Sequence, residues 1–152
     1  MSAGFPVWWR WGRCMAAALL TCVAALHGAD PGAPRASKPE VRKEVVGVIE
    51  GQLAAFRAGD TRKAYALAAT VLRAQTPLRQ FLLIVENNYP EIWANTRGEF
   101  GLVRDDGVRA TVLVQVASKE GRADYDYGLV KERDGWRIDS VLRHTPKKEE
   151  KV

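Results

Sequence analysis

The sequence predicts an α+β domain in which about three helices pack on a curved antiparallel sheet of four strands. Three observations carry this. From Pro39 to Val85 apolar residues recur at steps of three and four, the period of a helix with one buried face. From Gly98 the period drops to two, the alternation of a half-buried strand. The second half is also punctuated by Asp106-Gly107, Glu120-Gly121 and Asp134-Gly135, pairs that close turns between adjacent strands.

Residues 1–29 stand apart. They hold Arg10 and Arg13, no acidic residue, and an apolar run of thirteen residues from Cys14 to Leu26. A basic start, a short apolar core and a small-residue exit form the order of an export signal. A membrane-spanning helix needs roughly 20 apolar residues, so no lasting span is expected. Cleavage would follow Val23-Ala24-Ala25 or Ala29, the second poorly served by His27 at minus three. Leu19-Leu20-Thr21-Cys22 resembles a lipid-attachment box, but Thr21 fits it badly and apolar residues continue after Cys22. A lipid anchor at Cys22 therefore ranks below a periplasmic or secreted location.

Both cysteines, Cys14 and Cys22, lie in this segment, so the exported chain is expected to lack disulfides. Two arginines and no acid leave with it, taking the formal charge from +5 to +3. That is a mildly basic surface, without the basic stripe and interleaved aromatics of a nucleic-acid footprint. Residues 30–39, DPGAPRASKP, read as a linker with three prolines.

The first helix starts at Pro39, whose fixed φ suits a first turn. Val41, Val45, Val48, Ile49, Leu53 and Phe56 form its apolar stripe, and Gly47, Gly51, Ala54, Ala55 and Ala58 a second face small enough for close helix approach. Gly59-Asp60 then raises a choice between a phosphate loop and a corner. A phosphate loop needs several glycines and usually a lysine; one glycine before an acid has the wrong charge. Gly59 suits a helix C-cap and Asp60 an N-cap, which favours the corner. A second helix is expected over about Thr61–Ala69, and a third from Thr76-Pro77 through Leu78, Phe81, Leu82 and Val85. Tyr89–Trp93 reads as a compact turn.

In the sheet half, Phe100 and Leu102 alternate with Glu99 and Gly101, and Val108–Ala117 is a strongly β-forming run. Arg122–Arg133 and Trp136–Leu142 complete four strands. Residues 40–143 thus form the domain, and 144–152 a charged, solvated tail.

Four segments now carry a resemblance: "GQLAAFRAGDTRKAYALAA", "PLRQFLLIVENNYPEIW", "GEFGLV" and "DGWRIDSV". Over about Val41–Leu142 the chain resembles the bacterial family called domain of unknown function 4864. That family resembles the nuclear-transport-factor-2-like (cystatin-like) superfamily, which implies a cone of helices against a bent sheet. "AFRAGD" followed by "AYALA" is the most specific piece, whereas "DGWRI" is shared widely. The family lends a fold and no catalytic residues.

The chemistry is sparse. After export one histidine remains, His144, and no cysteine, so an ordinary zinc site and a serine–histidine–aspartate triad are not expected. No cofactor motif is present. "ADYDYG" (residues 123–128) looks the most reactive, but strand alternation divides it. Tyr125, Tyr127 and Leu129 share one face, Asp124 and Asp126 the other. In the last strand Trp136, Ile138, Ser140 and Leu142 are expected to share the inner face and Asp139 the outer. Asp124 and Asp126 are expected to pair across strands with Arg137 or Arg143.

Some members of the superfamily, such as ketosteroid isomerases, use a pocket carboxylate as base and a tyrosine for the oxyanion. Here no inward carboxylate is legible, Glu99 being out of phase with Phe100 and Leu102. Tyr65, Trp93, Tyr125, Tyr127 and Ser140 are therefore candidates for lining a pocket, not for catalysis. The leading expectation is a non-catalytic module binding a small apolar or amphipathic ligand, or a protein partner. The alternatives are an isomerase or hydratase using pocket tyrosines, and a module that dimerises through its outer sheet face.

Overall fold

The computed structural model describes residues 32–145. The expected export signal, the first two linker residues and the tail beyond Thr145 lie outside the described residues. Helices come first and an open antiparallel sheet follows, with two short strands added to the expected four.

Helix α1 (Pro39–Arg57) buries Val45, Ile49, Leu53 and Phe56 against the sheet. Its small-residue face is used in part. A Cβ on Gly51 would meet Leu67 at 3.4 Å, whereas one on Gly47 would meet nothing within 4 Å. The helix ends in a left-handed glycine, Gly59 at φ 72°. Gly59 N donates to Phe56 O (3.0 Å) and Asp60 N to Ala55 O (2.8 Å), which satisfies two terminal carbonyls. Asp60 then accepts from Lys63 N (3.0 Å) and caps α2 (Thr61–Ala66).

Helix α2 stops before the expected Ala69 because the sheet offers its backbone other partners. Ile138 N donates to Leu67 O (2.9 Å) and Ala69 N to Ile138 O (2.8 Å), so the chain docks on a strand edge at Ala68. Ala68 and Ala69 are small enough to be buried there. An unexpected helix, α3 (Thr70–Gln75), follows. The Glu132 carboxylate accepts from Thr70 N (2.7 Å) and Thr70 Oγ1 (2.8 Å) at its start. Helix α4 (Leu78–Asn88) leads into α5 (Pro90–Trp93), the expected compact turn. Buried Asn95 donates from Nδ2 to Leu53 O (3.0 Å) and Ile92 O (2.8 Å), fixing α5 against α1.

The strands are β1 (Arg35–Ala36), β2 (Asn95–Phe100), β3 (Arg104–Asp105), β4 (Arg109–Ser118), β5 (Arg122–Glu132) and β6 (Gly135–Arg143). Their order is β1-β3-β4-β5-β6, and β2 also pairs with β4. Strands β2 and β3 lie along one edge of β4, interrupted at Gly101–Val103. The interruption shifts the phase, so Leu102, expected inside, is exposed and Val103 is buried.

The second phase change is in β6. Leu129 pairs with Ile138 but Gly128 with Ser140, so Asp139 is an extra residue. Trp136 and Ile138 are buried, whereas Ser140 and Leu142, expected on the same face, are exposed. Val141, opposite Tyr127, packs on the core instead. Arg143 falls opposite Tyr125. No helix among the described residues is long and apolar enough to cross a membrane.

Candidate functional site

A cavity of about 270 Å³ lies between the helices and β6. Its walls include Gln52 and Phe56 from α1, Leu72 from α3, Phe81 and Val85 from α4, and Ile138 from β6. Thr76, Tyr89 and Ser140 also line it, and no acidic or basic side chain does. The docking of Ala68 on Ile138 closes one side by bringing α3 to the sheet edge.

Of the five residues picked out as pocket candidates, Ser140 alone lines this cavity. The bulge leaves Ser140 exposed, with its Oγ against the position a Cβ on Gly128 would take. Its hydroxyl therefore belongs to the outer face. Tyr65 donates to backbone oxygens, with Arg73 O at 2.9 Å and Thr76 O at 2.8 Å, and its ring tilts against Phe81. It ties the end of α3 to α2. Trp93 packs on Phe56, ring centroids 5.7 Å apart, outside the cavity lining.

Tyr125 and Tyr127 do face the core, 0% and 1% exposed. Tyr127 Oη is buried and meets no hydrogen-bond partner among the described residues. Burial, then its neighbours Tyr125 and Tyr89, push this phenol well above its ordinary range. Tyr89 lines the cavity, its ring packs on that of Tyr125 with centroids 5.9 Å apart, and its hydroxyl donates to Val141 O (3.0 Å).

Tyr125 has a partner the sequence did not reveal. Its hydroxyl donates to Glu91 Oε2 over 2.6 Å, and Arg143 Nη2 donates to the same oxygen over 2.5 Å. Burial opposes the charge on Glu91, but hydrogen bonds from Tyr125 and Arg143 outweigh it and hold the carboxyl below its ordinary value. Burial and the adjacent carboxylate push the Tyr125 phenol up. A carboxyl held below its ordinary value is a weaker proton acceptor than a free one. None of the three residues lines the cavity.

Asp124 and Asp126 take other partners than expected. Asp124 accepts from Gln115 (3.1 Å), Asp126 meets His144 Nδ1 (2.8 Å), and Asp139 pairs with Arg109 (3.3 Å). Arg137 pairs with Asp134 and Arg143 with Glu91. The bulge moves Arg143 away from the outer row. His144, expected in a solvated tail, is held to the sheet by its backbone N–H on Asp124 O (2.7 Å) as well.

Among the polar residues of the lining Gln52 is buried, 3% exposed. Sequence spacing could have found it. Gln52 lies three residues after Ile49 and four before Phe56, on the stripe that α1 buries.

A family model described as Domain of unknown function (DUF4864) matches residues 38–151. Neither the curated proteins nor the solved structures give a match.

Proposed function

For a chain that belongs to the family described as Domain of unknown function (DUF4864), we propose a non-catalytic module that holds a small apolar or amphipathic molecule between its helices and β6. One observation carries this reading: a 270 Å³ space with apolar walls and no charged side chain in its lining. Small-molecule sites are commonly apolar hollows with a few placed polar groups. The order of helices before an antiparallel sheet supports membership of the nuclear-transport-factor-2-like superfamily. The composition of residues 1–29 supports a periplasmic or secreted location.

The isomerase-type reading has one observation in its favour, the Glu91–Tyr125 pair. It supplies the carboxylate that the strand phase lacked. Two features weigh against it. Arg143 pairs with the carboxylate, and neither Glu91 nor Tyr125 lines the cavity. Glu91, Tyr125 and Arg143 serve better as a latch between α5 and the far end of the sheet.

Native mass spectrometry of protein purified from its own host tests the binding role. Retained mass is expected in wild type and its loss in Val85→Phe, which puts a ring into the cavity. Bare protein that also takes up neither xenon nor an apolar dye would overturn the proposal.

A further inference from the structure

Gln52 gives the cavity a chemical preference. Its Nε2 donates to Ala64 O over 3.3 Å. A carbonyl oxygen can face only the NH₂ end of an amide, so this contact fixes which way the side chain points. No described donor reaches its other end, Oε1. Oε1 is not among the buried polar atoms that lack a partner, so it is reached from the space that Gln52 lines, in a wall otherwise made largely of Phe56, Phe81, Val85 and Ile138. Thr76 is half-buried and Ser140 exposed, so Gln52 is the deepest polar group in the lining.

Resting on the binding role proposed above, we infer that the cavity selects a neutral, mainly hydrocarbon molecule bearing one hydrogen-bond donor, a hydroxyl or N–H, which it gives to Gln52 Oε1. Size follows from volume. An apolar cavity of about 150 Å³ holds benzene, so one of 270 Å³ has room for roughly ten non-hydrogen atoms. Charge follows from the lining. A carboxylate or ammonium would lose its hydration and meet no opposite charge there. Polarity follows from Oε1. A ketone or ether of the same shape would set its oxygen against another acceptor and leave both unpaired.

The probes are 1-octanol, 2-octanone and octanoate, with 2-phenylethanol, acetophenone and phenylacetate as a second set of another shape. Each is titrated into the full chain and followed by NMR, including the Gln52 side-chain amide resonances. The alcohols are expected to bind about tenfold more tightly than the ketones, the worth of one hydrogen bond, and to shift the Gln52 amide. The carboxylates are expected not to bind. Gln52→Met keeps length and bulk but removes the acceptor, and should bring alcohol and ketone to equal affinity.

Equal binding of alcohol and ketone in wild type would overturn the inference while leaving the cavity a binding site. That comparison needs no variant, so it decides even if Gln52→Met fails to fold. Tighter binding of the carboxylates would also overturn the inference alone. Binding of no probe in either set would overturn the inference and the binding role together.

Discussion

Tyr125 and Glu91, 34 positions apart in sequence, share a hydrogen bond of 2.6 Å that joins the middle of β5 to the short helix α5. The acceptor is charged, and a bond of this kind is worth about 1.5–3 kcal/mol. Arg143 also pairs with Glu91. Tyr125→Phe is therefore expected at the lower end, a loss of about 1.5 kcal/mol, read from urea unfolding at neutral pH. An unchanged midpoint would show that the Tyr125 hydroxyl adds no stability.

The same latch gives a pH dependence with a definite sign. The Glu91 carboxyl is held below its ordinary value of 4.5, so folding favours its ionised form. Its contribution is full above the unfolded value and is lost as pH falls from about 4.5 through the lower folded value. Asp106 and Glu132 are also depressed and act in the same direction. The measurement is therefore a difference: wild type should lose more stability between pH 6 and pH 3 than Glu91→Gln. Parallel curves for the two proteins would remove Glu91 from the account.

Tyr127 should behave in the opposite way to Tyr125. Its hydroxyl is buried without a partner, and such a group is paid for in desolvation with no bond in return. Tyr127→Phe is expected to leave stability unchanged or raise it by up to about 1 kcal/mol. Thermal unfolding of the two phenylalanine variants side by side checks the contrast. A fall in both would mean that Tyr127 Oη has a partner in solution.

At the corner, Gly59 sits at φ 72° and a Cβ there would meet nothing within 4 Å. The cost of Gly59→Val is then backbone strain alone, on the order of 1 kcal/mol or more. Gly59→Asn should cost less, because asparagine tolerates this region. Asp60→Ala should lose about 0.5–2 kcal/mol with the cap on Lys63 N. Denaturant titrations with and without phosphate should agree. Phosphate stabilisation that disappears in these variants would restore the loop reading.

What could be read from the sequence was local. The stripe of α1, the glycine-and-cap corner and the alternation of β4 and β5 are each set by neighbours within a few residues. What could not be read depends on distant partners. Helix α2 ends where Ile138 takes over its backbone, and α3 begins where Glu132 meets Thr70. The alternation of β6 is correct as far as Ile138 and fails beyond Asp139, because nothing in the composition marks an extra residue there. That single miscount sent Ser140 inward and Arg143 outward. Glu91 was hidden in a turn whose direction is fixed by Asn95. Gln52 was legible by spacing, but a glutamine among apolar positions is easily passed over as solvent-facing.

Helix α3 is the least embedded wall of the cavity: none of its residues is buried, although Leu72 lines the space. It is held at its start by Glu132 and at its end by the Tyr65 hydroxyl. Segments of this kind detach well before a domain unfolds. For a molecule held inside, escape then needs both the lifting of α3 and the breaking of its own contacts. Ligands of different affinity would share a common entry rate limit, and cutting the Thr70–Glu132 tie would shorten every residence time alike.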